Sequence, residues 1–244
     1  MKLASAVAAN ELVFEIDEPS QGLIFSDGLK LGTTIKVDLI TSNANDVNRI
    51  PEIPITDLFE INAYLGLDHT QNYDRTASVF VNAPLVFFSA SGVLPFDDDT
   101  KYKVTLSNLG AATFDVFNMD NSKLGVPMVI KKAEVKSTQA ERTEMYKNID
   151  LLYFNGGTEP TKMTYLVDDI TADGAKRVRK VDISIEQMNA YKNAFEASYY
   201  EVTDQQYSNG MQFIGFPIDQ LEAVTLHHDT SEGEDLKYLT VDYK

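Results

Sequence analysis

Only two segments of this 244-residue chain read as helix, and they echo each other across about half its length. The first is Leu58-Phe-Glu-Ile-Asn-Ala-Tyr64 and the second is Ile185-Glu-Gln-Met-Asn-Ala-Tyr191. In the first, Leu58, Ile61 and Leu65 fall at helical spacing behind Asp57, with Glu60 three residues beyond it. In the second, Ile185, Met188 and Phe195 follow Ser184, with Gln187 three residues beyond it. Ser184 and Gln187 have the spacing of a capping box, in which each side chain accepts the other's backbone N–H; Asp57 and Glu60 form its close relative. Both candidate caps lie at a displacement of 127 residues. Each copy then reaches an apolar strand ending in proline, Phe80-Val-Asn-Ala-Pro84 and Phe213-Ile-Gly-Phe-Pro217, at a displacement of 133. The added length falls in the intervening loop, where insertions are tolerated. This order predicts one supersecondary plan used twice, with Asn62 and Asn189 as matching helix-packing positions.

The rest of the chain reads as strands. Leu12–Ile16, Leu23–Phe25 and Thr33–Ile40 alternate apolar and polar residues and are rich in β-branched side chains. Pro51 and Pro54 follow, and they argue against regular pairing there. Further strands are predicted at Ser78–Val81, Leu85–Phe88, Tyr102–Leu106 and Thr113–Phe117. In the second half they fall at Pro127–Val135, Ile149–Phe154, Met163–Val167, Val178–Ile183, Met211–Phe216, Ala223–Leu226 and Leu236–Tyr243. Ser137–Lys147 is polar with some helical character, and Met1–Asn10 reads as an arm or short helix. Turn residues are densest at Asn118–Gly125. The expected organisation is therefore mainly β: two consecutive jelly-roll β-sandwiches, residues 1–122 and 123–244, each with a short inserted helix.

Composition narrows the function classes. A net charge of −16 argues against direct nucleic-acid binding, which needs a basic face to neutralise phosphates. The basic run Lys176–Lys180 fits a solvated strand or loop better than a phosphate site. With no cysteine there are no disulfides, thiolate metal sites or cysteine nucleophiles. No apolar run approaches the ~18 residues of a membrane span.

Candidate chemistry is sparse. Of the three histidines, His227 and His228 are adjacent, so on a strand they point to opposite faces and do not co-ligate a metal easily. His69 falls in a polar loop after the first helix. Asp97, Asp98 and Asp99 form the sharpest acidic cluster and Glu232–Asp235 the second; both read as solvated turns, with calcium at the first as the minority reading. There is no Gly-rich phosphate loop, nucleophile elbow or zinc-protease motif. Tyr191, Tyr199, Tyr200 and Tyr207 cluster around the second helix and suit core or interface burial, since the chain has no Trp to build a sugar platform. No catalytic residue and no cofactor is expected.

Taken together, Leu58-x-x-Ile61-Asn62 with Phe80–Pro84, and Ile185-x-x-Met188-Asn189 with Phe213–Pro217, resemble the double-jelly-roll major capsid proteins of icosahedral, membrane-containing phages. The closing segments Ala223–Leu226 and Leu236–Tyr243 are similar to that family's last two strands, and the length is closest to the corticovirus-like and finnlakevirus-like coat proteins. The resemblance implies a virion coat subunit, made in the host cytoplasm and assembling as a homotrimer into a pseudo-hexagonal tile. Its implied partners are neighbouring capsomers, a penton or minor capsid protein and an underlying lipid membrane. The arm Met1–Asn10 would serve contacts between subunits or towards the interior. The alternative is a carbohydrate- or partner-binding β-sandwich of a virion or cell surface.

Overall fold

Alternating apolar and polar residues give strands with one buried face each, and the chain pairs them almost entirely in antiparallel fashion. The structure, a computed structural model, describes residues 1–42, 45–67, 72–74, 76–90, 92, 94, 99–120, 125–146, 149–154, 159–170, 174, 176–194, 199–201, 206–207, 214–218 and 223–243. Its elements begin with β1 (Lys2–Ile16), β2 (Gly22–Phe25), β3 (Leu29–Lys30), β4 (Thr34–Thr41), β5 (Val47–Pro54) and α1 (Ile55–Tyr64). Next come β6 (Asn72–Asp74), β7 (Val79–Val81), β8 (Leu85–Phe87), β9 (Thr100–Met119), β10 (Val129–Val135), β11 (Glu141–Glu144) and β12 (Leu151–Phe154). The chain continues through β13 (Lys162–Ile170), β14 (Lys176–Ser184), α2 (Ile185–Ala194), β15 (Tyr199–Glu201) and β16 (Gln206–Tyr207). It closes with β17 (Ile214–Pro217), β18 (Val224–His227), the short 3-10 turn Thr230–Glu232 and β19 (Leu236–Asp242).

Two compact units result. The first comprises Met1–Lys131, Ala197–Gly210 and Tyr243–Lys244; the second comprises Lys132–Glu196 and Met211–Asp242. Residues 121–124, within the stretch where the sequence places the half-boundary, lie outside the described residues.

In the first unit, β1 pairs with β9, β2 with β8, β3 with β7 and β4 with β5, all antiparallel. These pairs are nested, so the chain doubles back on itself as one long ribbon whose tip is the β4–β5 hairpin. Helix α1 starts directly at the end of β5. The ribbon is closed by β9, which runs beside β4 over Thr100–Ser107 and beside β2 over Val116–Met119. A second sheet, β16-β15-β6-β7-β3, completes the unit, with β15 parallel to β6. Phe80, fully buried on β7, stacks edge-on against Phe59 of α1 at 5.0 Å and tilts against Tyr73 at 5.2 Å.

In the second unit the same nesting recurs: β10 with β19, β11 with β18, β12 with β17 and β13 with β14. Closure differs here, because β12 pairs with β19 and β13 with β18. The result is two four-stranded sheets, β10-β19-β12-β17 and β11-β18-β13-β14. Leu152, Phe154, Phe216, Leu236 and Tyr238 from the first sheet share one core with Met163, Ile183, Val224 and Leu226 from the second. Met188 of α2 joins that core with no exposed surface. Helix α2 again starts directly after the ribbon's fifth strand.

Within this core the hydroxyls of Tyr146 and Tyr238 lie 2.8 Å apart and share one hydrogen bond. Burial raises both phenols, and the hydrogen bond to Tyr238 raises Tyr146 further. Because the folded state holds the protonated form, ionisation in the unfolded chain draws stability away as pH rises past the ordinary tyrosine value of ~10. Absorbance titration at 295 nm should leave these two tyrosines un-ionised until the unit unfolds. Normal titration of all twelve in the folded protein would refute this.

Several sequence expectations are corrected. Met1–Asn10 is neither a free arm nor a helix: from Lys2 onward it is strand, paired along β9 as far as Phe117. Its side chains are small and uncharged between Leu3 and Asn10, and β9 offers a long edge for them. The separate strands expected at Tyr102–Leu106 and Thr113–Phe117 are one strand, β9. Positive φ at Asn108, Gly110 and Ala111 bends it through the stretch that reads as a turn. Pro51 and Pro54 do lie in a paired strand, tolerated because β5 is a sheet edge and pairs only with β4, with register shifts along the ladder. The polar Ser137–Lys147 segment holds strand β11, with no helix among its described residues.

Both expected helices form, but the displacement of 127 between them is corrected. Ser184 and Gln187 form the capping box: the Ser184 N–H donates to Gln187 Oε1 at 2.9 Å and the Gln187 N–H to Ser184 Oγ at 3.4 Å. Helix α1 starts three residues earlier than expected, behind Pro54 and without a side-chain cap, so Asp57 is an internal residue of the first turn. The helix starts, Ile55 and Ile185, are thus 130 residues apart. That displacement matches buried Ile53 to Ile183 and buried Leu58 to Met188. Asn62 no longer aligns with Asn189, whose side chain lies outside the described residues.

Candidate interaction face

Strand alternation sorts the sheet β11-β18-β13-β14 into two faces. Met163, Tyr165, Val181, Ile183, Val224 and Leu226 turn towards the second unit's core. The residues between them turn the other way, and the ladder sets them in rows. One row is Glu141, His227 and Lys162. The next is Thr143, Thr225, Thr164 and Asp182, followed by Leu166 opposite Lys180. All of these but Lys162 and Asp182 line a concave patch of about 270 Å³.

The rows are stitched by cross-strand polar contacts. The hydroxyls of Thr143 and Thr225 are 2.7 Å apart. Thr164 donates to Asp182 Oδ1 at 2.7 Å, and its oxygen lies 3.1 Å from His227 Nε2. His227 Nδ1 is 3.5 Å from Glu141 Oε2. Lys162 and Lys180 approach the Asp182 carboxylate at 3.4 and 4.0 Å. The Thr164 hydroxyl first, and the two lysines after it, hold the Asp182 carboxyl below its ordinary range.

Glu141, His227 and Thr164 stand in the order carboxylate, imidazole, hydroxyl, which invites comparison with a nucleophilic triad. The hydrogen bonding runs against that use. A threonine hydroxyl has one hydrogen, and here it goes to Asp182, so the imidazole is not set to take it. Thr164 is also buried, with 7% of its surface exposed, leaving little room for a substrate at its oxygen. What the arrangement does supply is a pre-ordered polar surface.

Among the described residues, those singled out from sequence are not brought together. His227 joins this patch, whereas His228 turns to the Glu234 carbonyl oxygen at 2.6 Å. Their divergence agrees with alternation on a strand. His69, Asp97 and Asp98 lie outside the described residues. Asp99 is exposed and bonds Ser42 through its carbonyl at 3.0 Å and its carboxylate at 3.2 Å. Asp235 accepts the Ser137 N–H at 2.8 Å and the Lys136 ammonium at 3.2 Å. Lys176–Lys180 lies on edge strand β14, solvated as expected, and the side chains of Tyr191, Tyr199, Tyr200 and Tyr207 lie outside the described residues. Among the described residues no cluster of metal-ligating side chains occurs, and no helix is long and apolar enough to cross a membrane. The polar patch was missed from sequence because its members come from four strands; the one local signal is Lys162-x-Thr164-x-Leu166 alternating against Met163 and Tyr165.

Fold and face together define a two-unit, mainly antiparallel β protein with an ordered polar patch on one sheet. In comparisons with known proteins, no family model and no curated protein matches the chain.

Proposed function

We propose that the chain is a viral coat subunit, two jelly rolls in tandem, that assembles as a trimer into an icosahedral shell. One observation carries this reading: each unit nests four strand pairs as a single ribbon and inserts a helix after the ribbon's fifth strand. A jelly roll is such a ribbon wrapped into two sheets. The second unit supports the reading most fully, since its sheets take ribbon strands in the orders 1-8-3-6 and 2-7-4-5. The first unit keeps the nesting but closes through β4 and β2. Three copies carry six such units, the number that a near-hexagonal tile with closed threefold symmetry requires. The charge of −16 suits a shell that encloses a genome without gripping it.

Sedimentation of the expressed chain at micromolar concentration should give the mass of a trimer, and electron micrographs should show closed particles or hexagonal sheets. A stable monomer with no particles would overturn the proposal. The second reading, a carbohydrate- or partner-binding β-sandwich, draws on the concave polar patch of Thr143, Thr164, Lys180 and His227. Glycan binding by a protein that forms no particles would favour it.

A further inference from the structure

We infer that the outer face of β11-β18-β13-β14 is a self-association surface, and that its occupant is a second copy of this chain. The first ground is apolar exposure. Leu166 and Val178 are 38% and 61% exposed on this face, and Met145, which directly follows β11, is 66% exposed. Leu166 lies in the row bonded to Ala223, and Val178 stands one ladder step further along β14. Leu166 lines the edge of the concave polar patch, and Val178 and Met145 extend its apolar margin on the same face.

The second ground is charge. Two copies of a chain carrying −16 repel, so stable contact requires a place where that excess is locally absent. On this face Glu141 and Asp182 are matched by Lys162 and Lys180, leaving no net charge in the patch. The mixture is also self-complementary. Two copies related by a twofold axis can set the lysines of one against the carboxylates of the other while the apolar flanks meet, the geometry of an isologous contact. A strongly basic or strongly acidic partner finds no matching excess here. The inference does not depend on the coat reading, which requires self-association but does not say where it occurs.

The test is sedimentation velocity on the full chain, wild type against Leu166→Glu/Val178→Glu, with circular dichroism to check the fold. The double variant should raise the dissociation constant of self-association at least about tenfold, because each copy then brings two added carboxylates into a desolvated contact. In the wild type, hydrogen exchange at β13 and β14 should slow as protein concentration rises, a readout that stands even if the variant misfolds. A wild type that stays monomeric with concentration-independent exchange overturns the inference. A folded variant that keeps the wild-type mass overturns the face and leaves the coat reading standing. A variant that dissociates from a wild-type oligomer that never forms shells keeps the face and removes the coat reading.

Discussion

Asn62→Ala is expected to destabilise the first unit by about 1–3 kcal/mol, the scale set by losing the two hydrogen bonds that its buried amide makes to one strand's backbone. Asn62 is fully buried in α1, and its amide clasps one peptide position of β8. The Phe87 N–H donates to Asn62 Oδ1 at 2.8 Å, and Asn62 Nδ2 donates to the Phe87 carbonyl at 3.2 Å. Strand β8 ends its sheet, with β2 on one side only. The side-chain amide therefore takes the place of a further strand for the edge backbone. Asn62→Asp should be worse than Asn62→Ala near neutral pH. A carboxylate keeps the acceptor but sets a second negative oxygen against the Phe87 carbonyl. Burial raises that acid's folded-state pKa, so its penalty should shrink as pH falls and the acid becomes able to donate. Urea unfolding followed by hydrogen exchange resolves the first unit's transition, which a single global curve for two units does not. A loss below roughly 0.5 kcal/mol for Asn62→Ala, the scatter of a surface substitution, would show that the clasp is dispensable.

Strands and helices were legible in the sequence where local chemistry decides them. Ser184 and Gln187 predict a capping box because the two side chains and two N–H groups lie within one turn, and the box forms. Asp57 and Glu60 have the same spacing, yet the helix begins at Ile55. Pro54 fixes its own φ and lacks an N–H, so it serves as the residue before the first turn, while Ile55 is pulled into the core with no exposed surface. Tertiary burial outweighed the local cap, and the register of the repeat moved with it. Long-range pairing was illegible for a different reason. Lys2–Asn10 is alanine-rich, with only Leu3 and Val7 as larger apolar side chains to declare a strand, and only the far segment Ala112–Phe117 makes it one. Asn108-Leu-Gly-Ala111 carries turn residues, yet a bend in a continuous strand uses positive φ as readily as a turn does. The polar patch is the extreme case: Glu141, Thr164, Asp182 and His227 acquire meaning only once the ladder sets them side by side.

Leu58→Ala and Met188→Ala put the corrected repeat to the test, and each is expected to cost its own unit about 2–5 kcal/mol, the usual range for truncating a fully buried Leu or Met. Both side chains have no exposed surface and both sit three residues after the first residue of their helix. Upstream, Ile53 and Ile183 are buried at the matching step of the strand that feeds each helix. If the two units share a plan, the role of these positions is the same: the first turn of the helix pins the end of the fourth–fifth hairpin to the core beneath it. The alternative register, which pairs Leu58 with Ile185, predicts something different for the second copy. Ile185 is only partly buried and packs at the margin of the core, so Ile185→Ala should cost clearly less than Met188→Ala. Denaturation with unit-resolved hydrogen exchange separates the registers. Equal large losses at Leu58 and Met188, with a smaller one at Ile185, favour the displacement of 130; a larger loss at Ile185 than at Met188 favours 127. A near-zero cost at Met188 would mean that α2 does not hold its hairpin, and the helix would then repeat in position without repeating in function.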